Sequence, residues 1–284
     1  MTESSVYPGI FVLKYTRRVF YDNLWSEELE HCRGTIVDKD FNLIAYPFQK
    51  IYNLGVESRA PVLDDNTLVT AFRKVNGFMV AVTVHKGELL ISTTGSTDND
   101  YVNYAKEMMS KHTPLTDWLM VLNTSDTEGM TFMFECVHPS DPHIVIEKPG
   151  MYLLGYRENS WESKVGHNPF TIQDLAHMLN CFFPESTTTN MVRLKELAKE
   201  CKHEGFVFYT EDNVSAKIKS PYYLTAKWVA RNPRTDKLLT KEFKEQIDEE
   251  YYGLLSHIRA NIEAYTVMDE QARLAWVRNY LETV

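Results

Sequence analysis

The sequence predicts an α+β protein with largely antiparallel sheets, followed by a small all-helical C-terminal region. Three observations predict it. Through the first two thirds of the chain, alternating apolar runs are joined as hairpins rather than as regular βαβ units. Helical periodicities are interleaved with them. After Pro221 the strand signals largely stop, and stretches at 222–230, 240–265 and 269–281 all fit helices.

Taken in order, residues 34–46 read as two short strands around a turn at 38–42. Phe78–His85 carries β-branched residues at alternate positions, Lys86-Gly87 supplies a turn, and Glu88–Thr93 forms the return strand. Residues 101–111 and Leu115–Leu122 fit helices, whereas 131–137, 144–147 and 151–156 fit strands, the last two parted by Pro149-Gly150. Thr171, with Asp174 three residues later, resembles an N-cap box opening a helix that runs through 180. A second helix is expected over 190–201, and strands at 205–209 and 214–220. A polar, Pro-containing stretch at Arg231-Asn232-Pro233 marks a boundary, giving a domain at 1–230 and a helical region at 231–284. In the last helix Ala272, Leu274, Ala275, Val277 and Leu281 can line one face.

An apolar content of 44% with 24% charge suits a globular chain that buries a full core. No apolar run approaches the roughly 18 residues a membrane helix needs, and no secretory leader pattern opens the chain. A cytoplasmic compartment without membrane contact is therefore expected. Cys32, Cys136, Cys181 and Cys201 form no C-x-x-C pair, so reduced thiols are expected rather than disulfides or zinc. His138, His143 and His203 with Glu204 fit no zinc-ligand spacing. The net charge of -9 is unevenly placed: residues 191–244 carry +5 and residues 245–284 carry -5. Local potential decides whether phosphates are attracted, so the basic stretch outweighs the acidic total. Tight, indiscriminate binding to long duplexes is not expected.

Lys74-Val75-Asn76-Gly77 opens a predicted hairpin, and Lys217-Ile218-Lys219 closes a second strand about 140 residues later. Between them Phe134-Glu135-Cys136 and Glu204-Gly205-Phe206 each place a carboxylate at the end of an apolar run. A lysine amine becomes nucleophilic when burial or nearby positive charge lowers its pKa from near 10.4. Arg33, Lys50, Lys217, Lys219 and a divalent metal are candidates for that charge around Lys74, and the same cations would neutralise a triphosphate. Gly77 would let the backbone approach a ligand closely. Glu135 and Glu204 are candidates for ribose hydroxyls and for Mg²⁺, which prefers oxygen ligands.

In that order, Lys74-Val-Asn-Gly77, Phe134-Glu135, Glu204-Gly205-Phe206-Val207 and Lys217-Ile-Lys219 resemble motifs I, III, IV and V of the covalent nucleotidyltransferases. These are the RNA ligases, DNA ligases and mRNA capping enzymes. Upstream, Cys32-Arg33-Gly34-Thr35 and Pro47-Phe48-Gln49-Lys50-Ile51-Tyr52-Asn53 are similar to segments of phage RNA ligase 1-type enzymes and of the ligase domain of fungal tRNA ligases. Met151-Tyr-Leu-Leu-Gly-Tyr156 is similar to that group's motif IIIa. The resemblance spans roughly residues 30–225.

The resemblance implies a nucleotidyltransferase (ligase) fold and an ATP-dependent RNA ligase working through a lysyl-AMP intermediate, with Mg²⁺ or Mn²⁺ as metal. It implies Lys74 as nucleophile, Arg33 and Lys50 on phosphates, and Glu135 on ribose. Glu204 would take metal or ribose, and Lys217 and Lys219 the α-phosphate. Asn76, Gly77 and Gly205 complete the implied nucleotide site. Partners would be RNA 5′-phosphate and 3′-hydroxyl ends, including nicked tRNA, met by a monomeric enzyme. Two positions depart from the pattern: Asn76 stands where many members have Asp, which favours RNA over DNA ligase, and Thr94 stands where some relatives place a phosphate-contacting lysine. A GTP-using capping enzyme or a DNA ligase is the alternative, but both usually carry a following OB-fold, against which the helical tail argues. A non-catalytic RNA-end-binding module is the third reading, disfavoured by retention of all three motif lysines. The tail is expected to influence RNA choice rather than adenylylation, unless Leu274, Val277 and Leu281 are buried against the core.

Overall fold

The computed structural model describes residues 1–232, 234–247 and 249–283. Twelve strands in these residues form three four-stranded sheets. The first holds β1 (Thr2–Glu3), β2 (Ile10–Lys14), β3 (Arg33–Asp38) and β4 (Leu43–Ala45), in that order. Next along the chain come β5 (Leu68–Arg73), β6 (Phe78–His85), β7 (Glu88–Thr93), β8 (Met130–Val137) and β9 (Gly150–Glu158). The last three are β10 (Ser186–Asn190), β11 (Gly205–Thr210) and β12 (Ser215–Lys219). The second sheet runs β7-β6-β8-β9 and the third β10-β5-β11-β12, with every strand pair antiparallel. Antiparallel hairpins need only short connections, which is why the sequence showed no crossover units.

Period-2 alternation sets which face of each strand is buried. On β6 and β8, Val80, Val82, Phe132 and Phe134 point into the largest core, which helices Asp100–Ser110, Leu115–Leu122 and Pro169–Met178 cover with Met109, Trp118, Leu122 and Ile172. The hairpin turn holds Lys86 at φ 52° and Gly87 at φ 78°, the two positive dihedrals that match the strand twist. In the third sheet Val69, Ala71, Phe208 and Ala216 pack on Met191 and Leu194 of helix Met191–Glu200, whose N-cap Asn190 accepts from Arg193 N.

Three expectations are corrected. Residues 144–147 form no strand, because Ile144 and Val145 are drawn into the helical core while the Val145 N–H serves a side chain (below). The helix expected from Thr171 starts earlier, capped by Asn168, whose Oδ1 accepts from Phe170 N and Thr171 N ahead of Pro169. Residues 240–265 are not one helix but Lys241–Lys244, a 3₁₀ turn at Glu249–Tyr251, then Tyr252–Ala260 and Ile262–Val267.

The expected boundary at 231–233 includes Pro233, which lies outside the described residues. Tyr222, Tyr223 and Val229 of helix Pro221–Arg231 share one buried cluster with Leu254, Ile258, Leu274, Val277 and Leu281. Ile144 and Val145 belong to the same cluster. The apolar face of the last helix, Glu270–Thr283, is thus buried against this body, and Arg273 fastens it by donating from Nε to Ala230 O at 3.0 Å. No described helix is long and apolar enough to cross a membrane.

Candidate active site

Backbone pairing alone brings the lysines and carboxylates together. Lys74 follows the end of β5, and its N–H donates to Gly205 O at 2.8 Å, so it lies beside Glu204 across the sheet. On the other side of β11, Gly205 pairs with Lys219 and Val207 with Lys217. Residues 74–77 then lead into β6 of the neighbouring sheet, where Met79 pairs with Glu135 of β8. The site therefore sits where the second and third sheets meet.

Its centre is Glu204, only 3% exposed. Oε2 accepts from Lys74 Nζ at 3.0 Å and from Asn76 Nδ2 at 2.8 Å, and Oε1 faces Lys219 Nζ at 3.2 Å. Asn76 Oδ1 in turn accepts from Val145 N at 3.1 Å, and Glu135 Oε1 accepts from Gly77 N at 3.0 Å. Arg33, Lys74, Glu135 and Lys217 line one cavity, together with the apolar side chains of Phe72, Met79, Leu154 and Val207. A cavity with cations at one part and apolar walls at another fits a nucleotide, which carries both characters.

The electrostatics divide the lysines. Burial pushes the Lys74 amine down, but Glu204 and Glu135 outweigh it and hold the pKa above the ordinary lysine value. Burial raises Glu204, yet Lys74 and Lys219 overcome this and keep it lowered, so the pair is ionised. Glu135 is raised by burial and by Glu204, against the pull of Lys74. The amine that is depressed is Lys217, lowered to about 7 by burial and by Lys50, Lys219, Lys74 and Arg33. The cation-rich neighbourhood expected to activate Lys74 thus acts here on Lys217, because Glu204 shields the former.

Two further expectations change. Gly77 has a reason for its size besides a ligand: a Cβ there would lie 2.3 Å from Cys136 O, so β8 itself requires the glycine. Lys50 is buried, ion-paired to Glu57, and enclosed by the rings of Trp25 and Tyr52 at 5.1 and 4.9 Å. It lines an adjoining cleft with Gln49 and Arg157 rather than the Lys74 cavity. Its neighbourhood reaches the site through backbone, since Lys217 N donates to Tyr52 O and Leu54 N to Lys217 O, both at 2.9 Å. Gly205 has φ +122° and a Cβ there would meet Ile218 O at 2.0 Å. Gly205→Ala is accordingly expected to cost about 3 kcal/mol. Thermal denaturation checks this, and an unchanged midpoint would contradict it.

Sequence reasoning missed three contributors. Arg73 Nη2 grips both oxygens of Glu147 at 3.0 and 2.9 Å, Val145 orients Asn76, and the Tyr223 ring lies 4.9 Å from Lys219 Nζ. Adjacency of Arg73 to Lys74 was the one available signal. Among the described residues no group of three or more His, Cys, Asp or Glu side chains is placed to hold a metal.

No protein-family model matches the sequence, and no curated protein matches it. Solved structures do match in shape. A putative ATP-dependent DNA ligase from Aquifex aeolicus superposes with TM-score 0.53 at 16% identity, over 89% of this chain and 68% of that one. An archaeal ATP-dependent RNA ligase gives 0.51 at 14%, over 86% and 66%. A Naegleria gruberi RNA ligase with PPi gives 0.45 at 15%, over 57% and 52%, so this chain spans about half the length of that enzyme. At these identities the likeness is one of fold: the chain has the fold of ATP-dependent ligases, a mixed architecture of helices and antiparallel sheets.

Proposed function

We propose that the chain is an ATP-dependent RNA ligase that joins 5′-phosphate and 3′-hydroxyl ends. The observation that carries this reading is the convergence of Lys74, Lys217, Arg33 and Glu135 on one partly apolar cavity, with Lys74 joined through the Glu204 carboxylate to Lys219. In the first step Lys74 Nζ, having released its proton, attacks the α-phosphorus of ATP; an N–P bond forms as the P–O bond to the leaving pyrophosphate breaks. In the second, an oxygen of an RNA 5′-phosphate attacks that phosphorus and the N–P bond breaks, leaving RNA-adenylate and the free amine. In the third, a 3′-hydroxyl attacks the 5′-phosphate and AMP leaves.

Lys217 and Lys219 stabilise charge developing on the α-phosphate, and Arg33 neutralises phosphate at the cavity wall. Glu135, fixed by the Gly77 N–H, meets the ribose, and Phe72, Met79, Leu154 and Val207 exclude water around the base. Glu204 would offer Mg²⁺ or Mn²⁺ a carboxylate oxygen only by giving up Lys74 or Lys219, which hold its two oxygens, and a metal so held would supply further charge neutralisation. Lys50, buried against Trp25 and Tyr52, reaches phosphate only on release from Glu57. The segments at 32–35 and 47–55, similar to those of phage RNA ligase 1-type enzymes and fungal tRNA ligases, favour RNA, nicked tRNA included, over DNA. Residues 1–230 form the adenylyltransferase part, on which 231–284 is built as a helical region; the enzyme works as a monomer in the cytoplasm.

Incubation with α-labelled ATP or GTP, followed by a denaturing gel, tests this: covalent AMP supports it, whereas covalent GMP or no label overturns it. A pH dependence follows as well. Because Glu204 and Glu135 raise the Lys74 pKa, the neutral amine is a minor species at pH 7. The adenylylation rate at saturating ATP is expected to climb about tenfold per pH unit from 7 to 9. A rate flat across that range would show that deprotonation of Lys74 does not limit the step.

A further inference from the structure

The short helix Arg17–Tyr21 buries none of its residues. Phe20 is 52% exposed, Tyr21 76% and Leu24 48%, three large apolar side chains within five residues. They do not form an isolated greasy spot. The Tyr21 ring meets Phe20 edge-on at 5.4 Å, Phe20 stacks toward Tyr15 at 6.4 Å, and Tyr15 meets Trp25 at 4.7 Å. Cations continue the series inward. Arg33 Cζ lies 5.7 Å from the Tyr15 ring and lines the cavity of Lys74, while Trp25 and Lys50 are buried behind Tyr15 and back these rings without facing a strand themselves. Lys14, paired with Arg33 across β2 and β3, lies over Gly95 at the same edge.

We propose that this ladder of rings and cations is a binding track for a single-stranded RNA end, which it leads from the surface to the Lys74 cavity. Every base has a π-face, so aromatic rings bind unpaired strands with little sequence preference, while interleaved cations follow the phosphates. Charge complementarity selects this occupant. Among the described residues Lys14, Arg17 and Arg33 form no ion pair. The acidic residues nearby are partly engaged: Asp22 pairs with Arg18 at 3.4 Å, and Glu30 takes Tyr52 and Arg59. Glu27 and Glu28 stay exposed on the next helix and disfavour a second strand of phosphates there, consistent with an unpaired strand rather than a duplex.

The proposal rests on RNA being the substrate, and its test is separable from that reading because it needs no ATP. Fluorescence anisotropy of the full chain is measured with a 5′-phosphorylated single-stranded oligoribonucleotide and with a version carrying abasic sites near the 5′ end. The intact strand is expected to bind at least tenfold tighter than the abasic one, and the double variant Phe20→Ala/Tyr21→Ala to lose that difference. Phe20→Trp should retain it. Equal binding of both strands by the unaltered protein overturns the track, as does unchanged binding by the double variant. Self-association in sedimentation that the double variant abolishes while RNA binding persists also overturns it, since the rings would then serve a second copy. Failure of the function itself is read elsewhere, as absence of lysyl-AMP.

Discussion

Lys74→Ala is expected to take up no AMP from ATP and a divalent metal, and to seal no RNA when supplied with ATP. Alanine removes the Nζ that Glu204 Oε2 holds at the cavity wall while leaving the backbone bond to Gly205 intact, and no neighbouring amine can occupy its place. Lys219 is tied to the other oxygen of Glu204, and Lys217 enters from the next strand. The fold should survive, because the buried Glu204 carboxylate keeps Asn76 and Lys219 as partners when Lys74 is truncated. RNA that already carries a 5′-adenylate bypasses the first two steps, so residual sealing of such a substrate would localise the defect to adenylate formation. Label retained by Lys74→Ala would remove the nucleophile from the account.

Lys217→Met is expected to make the protein more stable and nearly inactive. A cation buried among Lys50, Lys219, Lys74 and Arg33 disfavours folding, which is why its pKa falls to about 7. The sign follows from linkage. Between pH 7 and the unfolded lysine value the unfolded chain holds a proton that the folded chain lacks, so stability rises with pH in that window. Below it the full penalty remains. Methionine keeps the length and drops the charge, and at pH 7 should stabilise by about 2 kcal/mol, seen as a higher denaturation midpoint. The adenylylation rate should meanwhile fall by about 10² or more, the loss typical of removing one group that meets developing charge. A variant that is destabilised, or that keeps its rate, would show that Lys217 is a structural residue. A site maintained at the expense of stability is a mark of function.

The sequence exposed these residues because pairing register made them neighbours: Lys74, Glu204 and Lys219 sit on adjacent strand ends, so a motif order along the chain became proximity in space. Hairpins with sharp turns and helices with clear faces were legible for the same local reasons, as at Lys86-Gly87 and Leu115–Leu122. What was not legible depended on distant partners. β5 precedes the nucleophile directly, yet its short run Leu-Val-Thr-Ala-Phe-Arg has no turn at its C-terminal end, because the chain continues through Lys74–Gly77 into another sheet. The polar edge strand β10, Ser-Thr-Thr-Thr-Asn, gave no apolar alternation at all. Residues 144–147, Ile-Val-Ile-Glu, had a β-branched apolar run and still form no strand, since Val145 and Glu147 answer to Asn76 and Arg73.

That last segment also alters the view of the tail. Ile144 and Val145 pack in the cluster of Leu274, Val277 and Leu281, and Arg278 Nη1 reaches His143 O at 3.3 Å. One continuous path therefore runs from the final helix through Val145 and Asn76 to Glu204. A tail that simply selects RNA and leaves adenylylation untouched is hard to reconcile with this packing; its support of the 143–147 segment is part of how the site is held.

The most direct test is to incubate the unaltered protein with ATP and Mg²⁺ and locate the nucleotide by tandem mass spectrometry of its peptides. AMP is expected in phosphoramidate linkage on Lys74 alone, discharged when 5′-phosphorylated RNA is added. Adenylate on any other lysine, or an adenylate on Lys74 that RNA fails to discharge, would contradict it.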